Sequence, residues 1–142
     1  MIADENDFPD VVHGDGYSTA HLDALGEGYG FRRVRRGLGI SAFGANAIVL
    51  PPRYEAGAHQ HEQQEELYFV HSGQVEMEFG DGSVITLEPG SLVRVDADTV
   101  RRLRNFGHED AVVLAIGGKG GYVGHDGKLP PGEVRSGGPL DG

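Results

Sequence analysis

Apolar and polar positions alternate in short runs from Gly39 onwards, and no stretch of ten residues keeps a convincing helical period. The runs predict strands over Ile40 to Leu50, Glu66 to His71, Val75 to Phe79, Val84 to Leu87, Leu92 to Val95, Thr99 to Asn105 and Ala111 to Ile116. Gly80-Asp81-Gly82 links two of these runs as a hairpin, and Glu88-Pro89-Gly90 supplies a second turn. Many short strands at close spacing point to an all-β sandwich or barrel. Alternation also assigns faces. In GQVEMEFG, Val75, Met77 and Phe79 take the buried face, while Glu76 and Glu78 take the wet one. Tyr68 and Val70 share parity with Glu66, and Leu103 shares parity with Arg101.

The two ends of the chain read differently. Residues 1 to 31 carry seven acids and no Lys or Arg, with glycines interrupting any period, so residues 1–32 are expected to form an extended acidic arm. A short helical turn over Thr19 to Leu25, capped by Ser18, would fit inside it. Residues 33–119 form the β-domain, and residues 120–142 a flexible tail, since Gly and Pro make up 10 of the last 22 residues. At 142 residues there is room for one domain with a real core and not for two.

Composition narrows the partners. With 22 acids against 12 bases and a formal charge of −10, a nucleic-acid backbone or an anionic membrane is an unfavourable partner. No apolar run reaches membrane-spanning length, and the N-terminal residues lack the basic and apolar parts of a signal peptide, so a soluble, cytoplasmic protein is expected. No cysteine is present, which removes disulfides and thiolate metal sites. Basic charge gathers at Arg32-Arg33-Val34-Arg35-Arg36, read as a solvated strand face, and at Arg101-Arg102-Leu103-Arg104.

The candidate chemistry lies in AHQHEQQEELYFVHSG. On a strand, His59 and His61 point to one side and Gln60 to the other, and Glu66 follows across a short turn. Two imidazoles and one carboxylate make a half-open ligand set suited to Fe, Mn, Ni or Zn in the divalent state, with positions left for water or substrate. His71 has the opposite parity to Glu66, and Glu65 is solvated on the same ground. His13, His21, His108 and His125 lie in arm, turn or tail and read as exposed, with His108 the one nearest to a replacement ligand.

In this stretch the chain resembles the cupins. Their first motif runs Gly, five residues, His-x-His, three or four residues, Glu, six residues, Gly; His59, His61, Glu66 and Gly73 fit it, and Arg53 stands at the leading glycine. The second runs Gly, five residues, Pro-x-Gly, two residues, His, three residues, Asn. Gly90 and Asn105 fit, Asp96 and Asp98 replace Pro and Gly, and Arg101 stands at the histidine that is the family's fourth metal ligand. The likeness spans roughly residues 38 to 117. It implies a single-domain jelly-roll β-barrel of two antiparallel sheets, and the alternation above predicts a pocket inside it lined by Tyr68, Met77, Phe79 and Leu103 around His59, His61 and Glu66. It also implies a symmetric homodimer, with the acidic arm as the element to lie across a partner.

Arg101 is the departure with consequences. A guanidinium has no lone pair to offer, so it is not a ligand. At about 5 Å from a divalent ion and an effective dielectric of about 20 it would repel that ion by roughly 6 to 7 kcal/mol. Arg101 therefore pairs with Glu66 in a metal-free pocket, swings outward, or meets an anionic ligand that bridges it to the metal. The last would make the pocket a reader of small carboxylates or phosphates. The expected function is small-molecule binding at a divalent-metal site of His59, His61 and Glu66, with a metal-dependent reaction on a small organic acid, sugar or aromatic as its enzymatic form. The alternatives are a non-catalytic binding or sensing module with a degenerate, metal-free pocket, and an assembly module. No convincing general base stands outside the ligand set, and no DNA-reading unit accompanies the barrel.

Overall fold

The computed structural model describes residues 7–130 and 138–140. A hairpin of β1 (Val12–Gly14) and β2 (Tyr17–Thr19) leads through a 3₁₀ turn at Leu22–Ala24 to β3 (Gly30–Arg32) and the short helix α1 (Val34–Leu38). Then follow β4 (Gly44–Leu50), β5 (Tyr54–Glu55), β6 (Gln60–His61), β7 (Glu65–Ser72), β8 (Val75–Phe79), β9 (Val84–Leu87), β10 (Leu92–Val95), β11 (Arg101–Asn105) and β12 (Ala111–Gly118). Two short strands come last, β13 (Gly127–Lys128) and β14 (Gly138–Pro139). The arrangement is all-β and antiparallel, as the alternation predicts. One five-stranded sheet has the order β10-β7-β12-β4-β3 and the other β14-β5-β11-β8-β9.

The core lies between these sheets. Tyr68, Val70, Ala111 and Val113 come from the first and Val75, Met77, Leu87 and Leu103 from the second, each nearly or wholly out of water. The jelly roll is thus a sandwich: its sheets do not close into a hydrogen-bonded barrel, because the edge strands run only two to four residues and the corners are turns. Gly73 has φ +94° at the β7–β8 turn, and a Cβ there would lie 2.5 Å from that of Ala111. Arg53, at the position of the motif's leading glycine, takes φ +54°, a left-handed conformation that an L side chain adopts at a cost of about 1 to 3 kcal/mol.

The arginine-rich stretch at 32–36 is not a strand face. It runs from the end of β3 into α1, where Arg32 is buried and Arg35 lies 3.9 Å from the ring centre of Tyr122. The helix stops at Gly39, which takes the left-handed conformation that favours glycine. The 3₁₀ turn lies within the expected helical span, but its cap is His21, while the Ser18 hydroxyl donates to the carbonyl of Leu38 at 2.6 Å. Beyond residue 120, β13 pairs with β6 and β14 with β5. No helix among the described residues is long and apolar enough to cross a membrane.

Candidate metal and ligand site

Three segments converge at one end of the sandwich. His59 and Arg101 face each other across a reciprocal backbone bridge, each N–H donating to the other's carbonyl at 3.0 Å. Two residues on, the His61 N–H donates to the Ala97 carbonyl at 2.7 Å. β7 then brings Glu66 beneath both rings. The parity argument holds, because Nε2 of His61 lies 3.0 Å and Nε2 of His59 3.7 Å from the same Glu66 oxygen, Oε1. The rings stand edge to face with centroids 5.4 Å apart. Ligand atoms of His59, His61 and Glu66 all lie within 4.8 Å of one another.

Arg101 points inward, as its parity with Leu103 requires, and only 1 % of its side chain is exposed. Its negative partner is Glu66: Nη2 donates to Oε1 at 2.6 Å. Nε donates to the Tyr68 hydroxyl at 3.2 Å, and Nη1 reaches the carbonyls of Asp96, Ala97 and Thr99 at 3.2, 3.1 and 2.6 Å. The turn that carries Asp96 and Asp98 where cupins have Pro and Gly thus serves as an acceptor cradle for the guanidinium. The Tyr68 hydroxyl completes the cluster by donating to Glu66 Oε1 at 2.5 Å.

Burial alone would raise the carboxyl pKa of Glu66. The His59 ring, the closer His61 ring and the hydrogen bond from the Tyr68 hydroxyl outweigh it and hold the group far below the usual carboxylate range. Tyr68 moves the other way. Burial first, and then the charge on Glu66, keep its phenol protonated and a donor.

The other expected site residues separate. Phe79 lies opposite Arg101 in the β8–β11 register and lines a depression of about 200 Å³ with Ala58, Val100 and Arg101. A second depression, of about 230 Å³, opens beside Glu66 between Phe43, Leu67, Arg94 and Ile116. Met77 and Leu103 face each other within the packed core and line neither. His71 and His108 are exposed and outside the cluster, as are His13, His21 and His125. Glu65 is solvated and pairs with Arg94 at 2.7 Å.

One residue of the site went unforeseen. Asp126 comes from the expected tail, yet its side chain is only 1 % exposed and its Oδ2 lies 3.4 Å from Nδ1 of His61. Burial would raise its pKa, but backbone N–H groups of Gln64 and Gln63 and the neighbouring His61 hold it below the ordinary aspartate value. Its only signal in the sequence is a charged residue amid glycines, Gly124-His125-Asp126-Gly127.

Comparisons with known proteins agree with this fold. A family model described as "Cupin domain" matches residues 47–117. A cupin protein from Bacteroides fragilis aligns over 87 % of this chain and 100 % of its own, at 22 % identity and a TM-score of 0.61. An uncharacterized conserved protein with a double-stranded β-helix domain, from Klebsiella pneumoniae, aligns over 78 % and 95 %, at 20 % identity and a TM-score of 0.65. A DMSP lyase from Ruegeria pomeroyi aligns over 65 % of this chain at 23 % identity and a TM-score of 0.55, and the chain spans 46 % of that lyase. At these identities the likeness is one of fold. No curated protein matches the chain.

Proposed function

Since the chain belongs to the cupin family, we propose that it binds a small molecule at a divalent transition-metal site held by His59, His61 and Glu66. The observation that carries this reading is the convergence of both Nε2 atoms on Glu66 Oε1, with all ligand atoms within 4.8 Å. The donors are of the right type for Fe, Mn, Ni or Zn, and their spacing fits a single ion. The charges fit as well, since Arg101 cancels Glu66 but Asp126 leaves the cluster one net negative charge with neutral imidazoles. When bound, such an ion supplies a Lewis acid with open positions for a carboxylate, a phosphate or water.

The chain's own residues do the holding. Tyr68 and Arg101 fix the Glu66 carboxylate through Oε1, the oxygen that both imidazoles face, and Arg101 acts on a ligand through that carboxylate. His59, whose side chain is 35 % exposed, presents the open edge of the cluster. Phe79 and Val100 offer apolar surface beside Arg101. The reading is one of binding, and a reaction on an organic acid or sugar would be its enzymatic form.

Protein purified without chelator and reloaded with Fe, Mn, Ni and Zn in turn should retain near-stoichiometric metal after desalting. The variant His59→Ala/His61→Ala should retain none while keeping its circular dichroism. Retention of no metal by the wild type would remove the reading. The second reading, a metal-free binding or sensing module, is favoured by the Arg101–Glu66 pair, which already neutralises the carboxylate inside the protein. A homodimer is also proposed, on the exposed apolar side chains of Leu67 and Leu92 on the outer face of one sheet. Light scattering at the 15.2 kDa of one chain would contradict it.

A further inference from the structure

The segment after β12 lies against the stretch that carries His61. The Val123 N–H donates to Gln64 Oε1 at 3.0 Å, and the Glu62 N–H donates to the Asp126 carbonyl at 3.1 Å. β13 lies against β6 with Gly127 opposite His61. Within this strap the Asp126 carboxylate accepts from Gln63 N–H at 3.0 Å on each oxygen and from Gln64 N–H at 2.7 Å.

Those bonds account for the turn before Glu66 but not for what faces Asp126 on its other side. Nδ1 of His61 is buried, makes no hydrogen bond, and stands 3.4 Å from Asp126 Oδ2. A ring shift of a few tenths of an ångström would bring the two within ordinary hydrogen-bond distance, about 2.7 to 3.2 Å. A histidine that binds an ion through Nε2 carries its proton on Nδ1, and that proton needs an acceptor.

We propose that Asp126 is the positioning residue of His61: its carboxylate accepts a hydrogen bond from Nδ1–H, aims Nε2 at the space shared with His59 and Glu66, and leaves the cluster a net negative charge after Arg101 has cancelled that of Glu66. The proposal rests on the metal reading above and names the residue on which that site's affinity depends. A merely structural Asp126 would serve the Gln63–Gln64 turn and leave His61 unaffected.

The test uses the full chain with Co(II) as probe in equilibrium dialysis. Long-range proton–nitrogen NMR of the imidazoles follows on metal-free and Zn(II)-loaded protein. Asp126→Ala should weaken Co(II) binding about 10- to 100-fold, the range typical of lost outer partners of metal ligands. Asp126→Asn, which keeps an acceptor oxygen, should lose less, and it decides the matter if the alanine variant does not fold. In the Zn(II) form the His61 Nδ1–H should exchange slowly in the wild type and rapidly in Asp126→Ala. Unchanged Co(II) affinity in both variants, or an unchanged His61 Nδ1–H, would overturn the proposal. If wild type binds neither ion, the metal reading fails by itself. The metal-free spectra then decide: a changed His61 signal in Asp126→Ala upholds the pairing, and identical signals overturn it.

Discussion

Arg101 and Asn105 stand at the two ends of β11, both directed inward and both essentially out of water, and they are satisfied in different ways. Asn105 is neutral and bonds only to backbone. Its amide donates to the carbonyls of Leu50, Pro51 and Glu109 at 3.2, 3.0 and 2.7 Å, and its oxygen accepts from Gly107 N–H at 3.0 Å. It locks two turns together through backbone groups alone. Arg101 is charged, and its acceptors include the one carboxylate that both histidines face. One end of the strand therefore holds the fold, and the other holds the chemistry.

The largest effect should come from unpairing the charged end. Glu66→Gln leaves a buried guanidinium without its counter-charge and should lower stability by about 3 to 5 kcal/mol in urea unfolding. Glu66→Gln with Arg101→Met should recover much of that loss, because both charges leave together. A double variant no more stable than the single one would mean the pair is not the unit of stability.

At the neutral end, Asn105→Ala strips partners from one N–H and three carbonyls and should cost about 2 to 3 kcal/mol. Metal retention should be unchanged in the folded variant, and a coupled loss of both would break the contrast between the two ends.

The smallest effect belongs to the outer face of the same strand. Arg104 meets Glu55 at 2.9 Å, Glu76 at 3.4 Å and Glu78 at 3.0 Å, all partly solvated. Arg104→Gln should therefore change stability by less than about 1 kcal/mol, and less again at high salt.

The two ends also differed in how far the sequence revealed them. Strands 75–79, 84–87 and 92–95 fall on the residues that alternation and turn chemistry predict: the first alternates between buried and partly exposed positions, and the other two, mostly exposed, are set by the turns that bound them. The expected strand from Ile40 begins only at Gly44, and the five-residue α1 shows no period at all. That helix is set by tertiary packing: a Cβ on Gly37 would lie 2.3 Å from Leu25, which local sequence does not encode. In the site, the shared face of His59, His61 and Glu66 follows from parity, as does the inward Arg101. Asp126 does not, since no periodicity relates residue 126 to residue 61, and the pairing of β13 with β6 and the bonds from Glu62, Gln63 and Gln64 bring them together.

The most direct test of the central claim is anomalous diffraction from crystals grown with Mn(II) or Zn(II). The account predicts one strong peak between the Nε2 atoms of His59 and His61 and the Glu66 carboxylate, with Asp126 hydrogen-bonded to His61 Nδ1. Metal-soaked crystals with no peak there and the Arg101–Glu66 pair intact would contradict it, and the guanidinium would stand as the only cation of the site.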